Sequence, residues 1–142
     1  MSINSFRDLE VWKKSIFLVK NIYLLTKNFP KEEIYALTSQ IRRAAVSIPS
    51  NIAEGRGLRT TKSFIKHLNI AYGSLAEVET QIFISFELGY ITAQQQKEIT
   101  DQTMEIARML NGLRKALQKK LPDNVLPLNP KSRILNPKEI DG

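Results

Sequence analysis

The sequence predicts an all-α protein: an antiparallel up-down-up-down four-helix bundle (residues 1–121) followed by an irregular C-terminal tail (122–142). Three observations carry that prediction. Apolar residues recur at steps of three and four through four long stretches, the connections between the stretches are short, and no segment alternates with a strand's period of two. With 142 residues, 42% of them hydrophobic, the chain is long enough to bury one proper core.

The first helix is expected from about Asp8 to Asn28, with Asp8 as N-cap and Leu9, Trp12, Ile16, Val19 and Tyr23 on one face. Phe29-Pro30 ends it. The second begins near residues 31–33, where Glu32 and Glu33 suit the positive end of the helix dipole, and stops around Gly55 to Gly57. Ile34, Leu37, Ile41, Ala44, Ile48 and Ile52 form its core face, and Pro49 sits in its interior, where it removes a backbone bond. Thr60 or Thr61 caps the third helix, which carries Phe64, Leu68, Ala71, Leu75, Val78, Ile82 and Phe86 and closes at Gly89. Thr92 opens the fourth, with Ile99, Thr103, Ile106, Leu110, Leu113 and Leu117 in register. The tail holds four of the six prolines and no helical period; an extended or disordered segment is expected, with Leu126, Leu128, Ile134 and Leu135 able to dock on a neighbour.

The second helix carries a further stripe at the same period: Gln40, Arg43, Ser47, Asn51 and Glu54. A solvated helix face is usually rich in Lys and Glu, whereas amides, hydroxyls and a guanidinium in register point to a polar, specific partner surface. The third helix has its own stripe in Ser63, His67, Ser74, Glu77 and Gln81. In a hairpin turning near Leu58, positions summing to about 117 face one another. That register sets Arg43 near Ser74 and Glu77, and Asn51 near His67. An Arg43–Glu77 ion pair, hydrogen-bonded by Gln40 and Ser47, is the resulting expectation; a catalytic polar groove is the lesser alternative.

Charge has a direction. The formal net charge is +7 and the pI near 9.7. Up-down topology gathers Arg7, Lys13, Lys14, Arg56, Arg59, Lys62, Lys66, Arg114, Lys115, Lys119 and Lys120 at one end, against Asp8, Glu10 and Glu54. The other end holds Glu32, Glu33, Glu87, Glu98, Asp101 and Glu105. Bases closing the fourth helix simply complement its dipole. Lys62 and Lys66, in contrast, enter the third helix at its positive end, beside Arg56 and Arg59. The N–H groups there already favour an anion, so a phosphate contact competes with plain solvated charge. The expected nucleic-acid contacts are Arg56, Arg59, Lys62, Lys66, Lys115, Lys119 and Lys120.

Several chemistries are disfavoured. There are no cysteines, which removes disulfides, thiolate metal sites and thiol catalysis. His67 is the one histidine, no Glu-x-x-His occurs, and Glu77 and Glu79 diverge on their helix. Gly55-Arg56-Gly57 is too short for a nucleotide-binding loop. No catalytic residue, metal ligand or cofactor is expected. The N-terminus lacks the order of a signal peptide and no apolar run spans a membrane, so a cytoplasmic location is the default expectation.

The segments FRDLEVWKKS (6–15), FPKEEIYALTSQIRRAAVSIPSNIAEGRGL (29–58) and FIKHLNIAYGSLAEVETQI (64–82) closely resemble the bacterial four-helix-bundle proteins encoded in intervening sequences of 23S ribosomal RNA genes. Arg42, Arg43, Ser47, Asn51, Glu54 and Gly55 match that family's central motif; Tyr72, Gly73, Ser74, Leu75, Glu77 and Glu79 match its second. The resemblance implies a ring-like homopentamer. It extends to the accessory variability protein of diversity-generating retroelements, a basic pentameric barrel that binds nucleic acid. The combined expectation is a non-enzymatic homo-oligomer whose basic pole contacts structured RNA or DNA; the alternative is a protein-interaction scaffold with incidental charge.

Overall fold

A computed structural model describes residues 5–58 and 60–122. Four helices, α1 (Glu10–Thr26), α2 (Leu37–Gly57), α3 (Thr61–Glu87) and α4 (Ala93–Gln118), pack as a square antiparallel bundle. Each helix lies against its two neighbours, and no diagonal pair brings its Cα atoms within 8 Å; among the described residues there is no strand. The segment expected to form the tail lies outside the described residues from Asp123 onward.

Local chemistry sets the helix ends. Ser5 caps a short 3-10 turn (Phe6–Asp8) by accepting from the Arg7 N–H at 3.1 Å, so α1 starts at Glu10 with Leu9 as its N-cap, not at Asp8. The expected start of α2 is a separate 3-10 turn (Lys31–Glu33). After it the chain reorients at Ala36 (φ −125°, ψ −106°), and Glu33 Oε1 accepts from the Leu37 N–H at 3.2 Å, doing the work of a cap from outside the helix. Thr60 caps α3 through the Ser63 N–H at 3.0 Å. At the far end of α3, Gly89 adopts φ +78°; its N–H bonds the Phe86 carbonyl and that of Tyr90 bonds the Ser85 carbonyl, both at 2.9 Å. That double bond pattern needs a left-handed residue, which glycine supplies without steric cost. Thr92 and Gln95 then form a reciprocal capping box at the start of α4.

The core runs the length of the bundle, from Val11, Ile52 and Leu117 at one end to Phe29, Leu37 and Ile91 at the other. The expected core faces of α2, α3 and α4 are buried, except that Ile34 is exposed and Phe86 and Leu113 are half-buried. The face expected for α1 needs correction. Its buried residues are Val11, Ser15, Leu18, Ile22 and Thr26, whereas Ile16 and Tyr23 are about two-fifths exposed. Ser15 and Thr26 can sit in the core because each hydroxyl donates back to its own helix, to the Trp12 carbonyl at 2.7 Å and the Ile22 carbonyl at 2.8 Å.

Candidate functional site

The α2–α3 seam is the most closely packed part of the molecule. A Cβ on Gly55 would lie 2.7 Å from His67 Cβ and 3.1 Å from the Phe64 ring, so only glycine permits this approach. At the same level the seam carries polar contacts. His67 Nδ1 lies 2.9 Å from the Ser63 carbonyl, which only accepts, so Nδ1 carries a proton. Nε2 then faces the Glu54 carboxylate at 3.3 Å, an ion pair when the imidazole is protonated. Further along, the Ser47 and Ser74 hydroxyls meet at 2.8 Å, and the Asn51 amide donates to the Ser47 carbonyl and hydroxyl at 2.9 and 3.0 Å.

These contacts correct the expected register. Facing positions sum to 121, one helical turn from the expected 117, because the link extends through Thr60 before α3 begins. His67 therefore meets Glu54 rather than Asn51. Arg43 and Glu77 stay within one residue of facing positions, yet no ion pair joins them. Both of those charges are exposed on the walls of a shallow groove of about 500 Å³, lined also by Gln40, Ala44, Ser47, Ser74 and Gln81. Gln81 is only 9% exposed, and its Oε1 has no hydrogen-bond partner. The groove continues along α3 over Gly73, Ala76, Thr80 and Ile84.

At the end of the bundle that holds the α2–α3 link, the structure thins the expected basic pole. Lys14 pairs with Glu105 at 3.4 Å, so Glu105 belongs to mid-bundle and not to the acidic end. Lys13 pairs with Glu10 at 3.3 Å. Arg114 is half-buried: its guanidinium donates to Asn69 Oδ1 at 3.0 Å and Asn111 Oδ1 at 2.9 Å, tying the end of α4 to the start of α3. Arg56 is half-buried and engaged. Arg59 lies outside the described residues. Besides Arg7, which lies 5.2 Å over the Phe6 ring, and the ion-paired Lys13 and Lys14, the exposed bases of this end are Lys62 and Lys66 in the first turns of α3 and Lys115, Lys119 and Lys120 in and just past the last turns of α4. The first turn of α3 has no acidic residue.

Residue pattern alone had missed Asn69 and Asn111, the anchors of Arg114, and Arg42, whose Nε donates to Thr26 Oγ1 at 2.8 Å while its guanidinium stacks 4.6 Å above the Tyr23 ring. The doublet Arg42-Arg43 held a usable signal: adjacent helical residues point about 100° apart, so one must face α1 if the other faces α3. At the opposite end the Tyr90 hydroxyl donates to Glu33 Oε2 at 2.7 Å, and that bond, with some burial and the nearby Glu33 and Glu32 charges, raises the Tyr90 pKa above 10.0. Among the described residues no group of three or more His, Cys, Asp or Glu is placed to hold a metal ion, and no helix is long and apolar enough to cross a membrane.

Fold and site together define an all-α four-helix bundle with a hydroxyl-lined seam and a lysine-bearing end. Residues 7–112 match the 23S rRNA-intervening sequence protein family, and the chain belongs to that family. It is also similar to a crystal structure of a protein of unknown function from the S23 ribosomal protein family of Bacteroides thetaiotaomicron, at 29% identity and a TM-score of 0.67, covering 74% of this chain and 95% of the other. No curated protein matches it.

Proposed function

We propose that this chain is a non-enzymatic, self-associating bundle that binds structured RNA or DNA through its lysine-bearing end. The observation that carries the reading is Lys62 and Lys66, exposed at the positive end of the α3 dipole with no acid in that turn. Placement there runs against helix stability, so an anionic partner is the simplest physical reason for it. Lys115, Lys119 and Lys120 extend the same end, because the Arg114–Asn69 bond holds α4 against α3. The family's description names 23S rRNA, which makes structured RNA the first probe.

Self-association rests on the α2–α3 groove. Small residues Gly73 and Ala76 allow a helix to approach, exposed Ile84 offers apolar area, and the buried Gln81 oxygen calls for a donor. Arg43 and Glu77, each unpaired within the protomer, would be paired by a second copy. In a ring, parallel protomers would repeat the lysine end on one face and multiply phosphate contacts.

The test is fluorescence anisotropy with a structured RNA and a DNA duplex across a salt series. Binding should weaken steeply with salt. Lys62→Glu/Lys66→Glu should weaken it about tenfold or more and lower the salt slope by about two per protomer. No binding at low salt would overturn this reading and leave the rival, a protein-interaction scaffold using the α2–α3 groove. Light scattering tests assembly separately: Ile84→Glu should reduce the particle toward the 16.2 kDa protomer.

A further inference from the structure

The α1–α4 seam opens into a groove of about 590 Å³ on the side of the bundle away from the α2–α3 groove. Its apolar floor is Phe17, Leu24, Leu25 and Ile99, with Phe17 55% and Leu24 50% exposed. Its polar wall is acidic and amide-bearing, with Glu98, Asp101, Asn21 and Gln102. No lysine or arginine lines it, although the chain carries a net charge of +7. Asp101 is engaged by Lys97 at 2.8 Å and Glu98 by Gln94 at 3.4 Å, both exposed contacts within α4 that leave carboxylate oxygens open to a second donor.

The sequence supplies a complementary segment. Residues 131–138, Lys-Ser-Arg-Ile-Leu-Asn-Pro-Lys, carry three bases and no acid, with Ile134 and Leu135 adjacent at the centre. Reach agrees with chemistry. Glu98 and Asp101 lie about 31–36 Å back along α4 from Pro122 at 1.5 Å per residue. Extended chain from Pro122 to Ile134 or Leu135 covers about 40 Å at 3.3 Å per residue.

We infer that residues 131–138 of this chain dock in the α1–α4 groove of their own bundle, Ile134 and Leu135 over Phe17 and Leu24, with Lys131 and Arg133 toward Glu98 and Asp101. The carboxamides of Asn21 and Gln102 offer the donors and acceptors that an extended backbone lacks when it has no sheet partner.

The native chain has no cysteine, so paired substitutions report proximity without background. Ser132→Cys/Gln102→Cys in the full chain, under mild oxidation, should form an intramolecular disulfide that runs at protomer mass on a denaturing gel. Ser132→Cys/Thr80→Cys, with its second thiol on the exposed face of α3, should not. Adding Glu98→Lys/Asp101→Lys to the first pair should lower its crosslinking rate about fivefold or more, the scale of losing two surface ion pairs and gaining repulsion. Equal rates for the two cysteine pairs would overturn the inference, as would a charge-insensitive rate. So would crosslinking only between Ser132→Cys and Gln102→Cys chains mixed as separate single variants, which places the segment on another copy.

Discussion

The two long seams of this bundle are built on opposite principles. Between α2 and α3, glycine, alanine and serine bring the helices close, and the polar atoms there meet directly: Ser47 to Ser74 at 2.8 Å, His67 to Glu54 at 3.3 Å, with Gly55 against His67. Between α1 and α4, long side chains reach across from the surface, Asn21 to Gln102 at 3.2 Å and Lys14 to Glu105 at 3.4 Å, and a groove of about 590 Å³ stays open over Phe17 and Leu24. The first seam is specified by what is missing from its side chains, the second by what its side chains can span. A close seam tolerates little change in volume; a spanned one tolerates most.

The largest expected effect breaks the close seam. Gly55→Ala adds one methyl group where the nearest atom is another residue's Cβ, which cannot swing away. The gain in helix propensity is about 1 kcal/mol, and the overpacking cost of about 1–3 kcal/mol exceeds it, so the denaturant midpoint should fall with little change in slope. The hydroxyl pair sharpens the comparison. Ser47→Ala should cost about 1–2 kcal/mol by leaving the buried Ser74 hydroxyl without its partner, while Ser47→Ala/Ser74→Ala should recover most of that loss. Additive losses in urea melts would mean the two hydroxyls are not coupled. On the spanned seam, Asn21→Ala removes a half-exposed bond to Gln102 and should stay within about 0.5 kcal/mol of the parent.

The smallest effect is electrostatic. The Lys97 ammonium is raised above 10.5, first by its hydrogen bond to Asp101 and then by that carboxylate's charge. Because the folded value exceeds the unfolded one, the pair's contribution is complete below 10.5 and is lost as pH rises through the folded value. Lys97→Met should therefore melt slightly below the parent at neutral pH and converge with it as pH rises well above 10.5. A gap that persists there would assign the difference to something other than this ion pair.

How much of this was legible depended on how local the cause was. Thr60, Gly89 and Thr92 mark helix ends because each acts through atoms within a few residues. The core faces of α3 and α4 follow from one strong apolar stripe each. In α1 two stripes compete, and the one that is buried contains Ser15 and Thr26, whose hydroxyls are satisfied by their own helix. Counting apolar residues favours Ile16 and Tyr23, which face outward. The seam register was one turn off because it depends on where a link ends, a matter of two or three residues. That single shift set Ser47 against Ser74 and moved His67 onto Glu54. Of the basic end, Lys62, Lys66, Lys115, Lys119 and Lys120 were legible as exposed lysines, whereas the burial of Arg114 was not, since Asn69 is 45 positions distant from it in the chain.

The hydrogen bond that spans α1 and α4 joins residues 81 positions apart, while the serine pair joins residues 27 apart. Closing the longer loop costs more chain entropy, and little tight packing rewards it. The α2–α3 hairpin is therefore the part of the chain equipped to form first, with α1 and α4 adding onto it and closing last. In the folded protein the same ordering should run in reverse: amides of α1 and α4 are expected to exchange with solvent through partial opening of that late seam, and those around Ile48 and Leu75 only when the whole bundle comes apart.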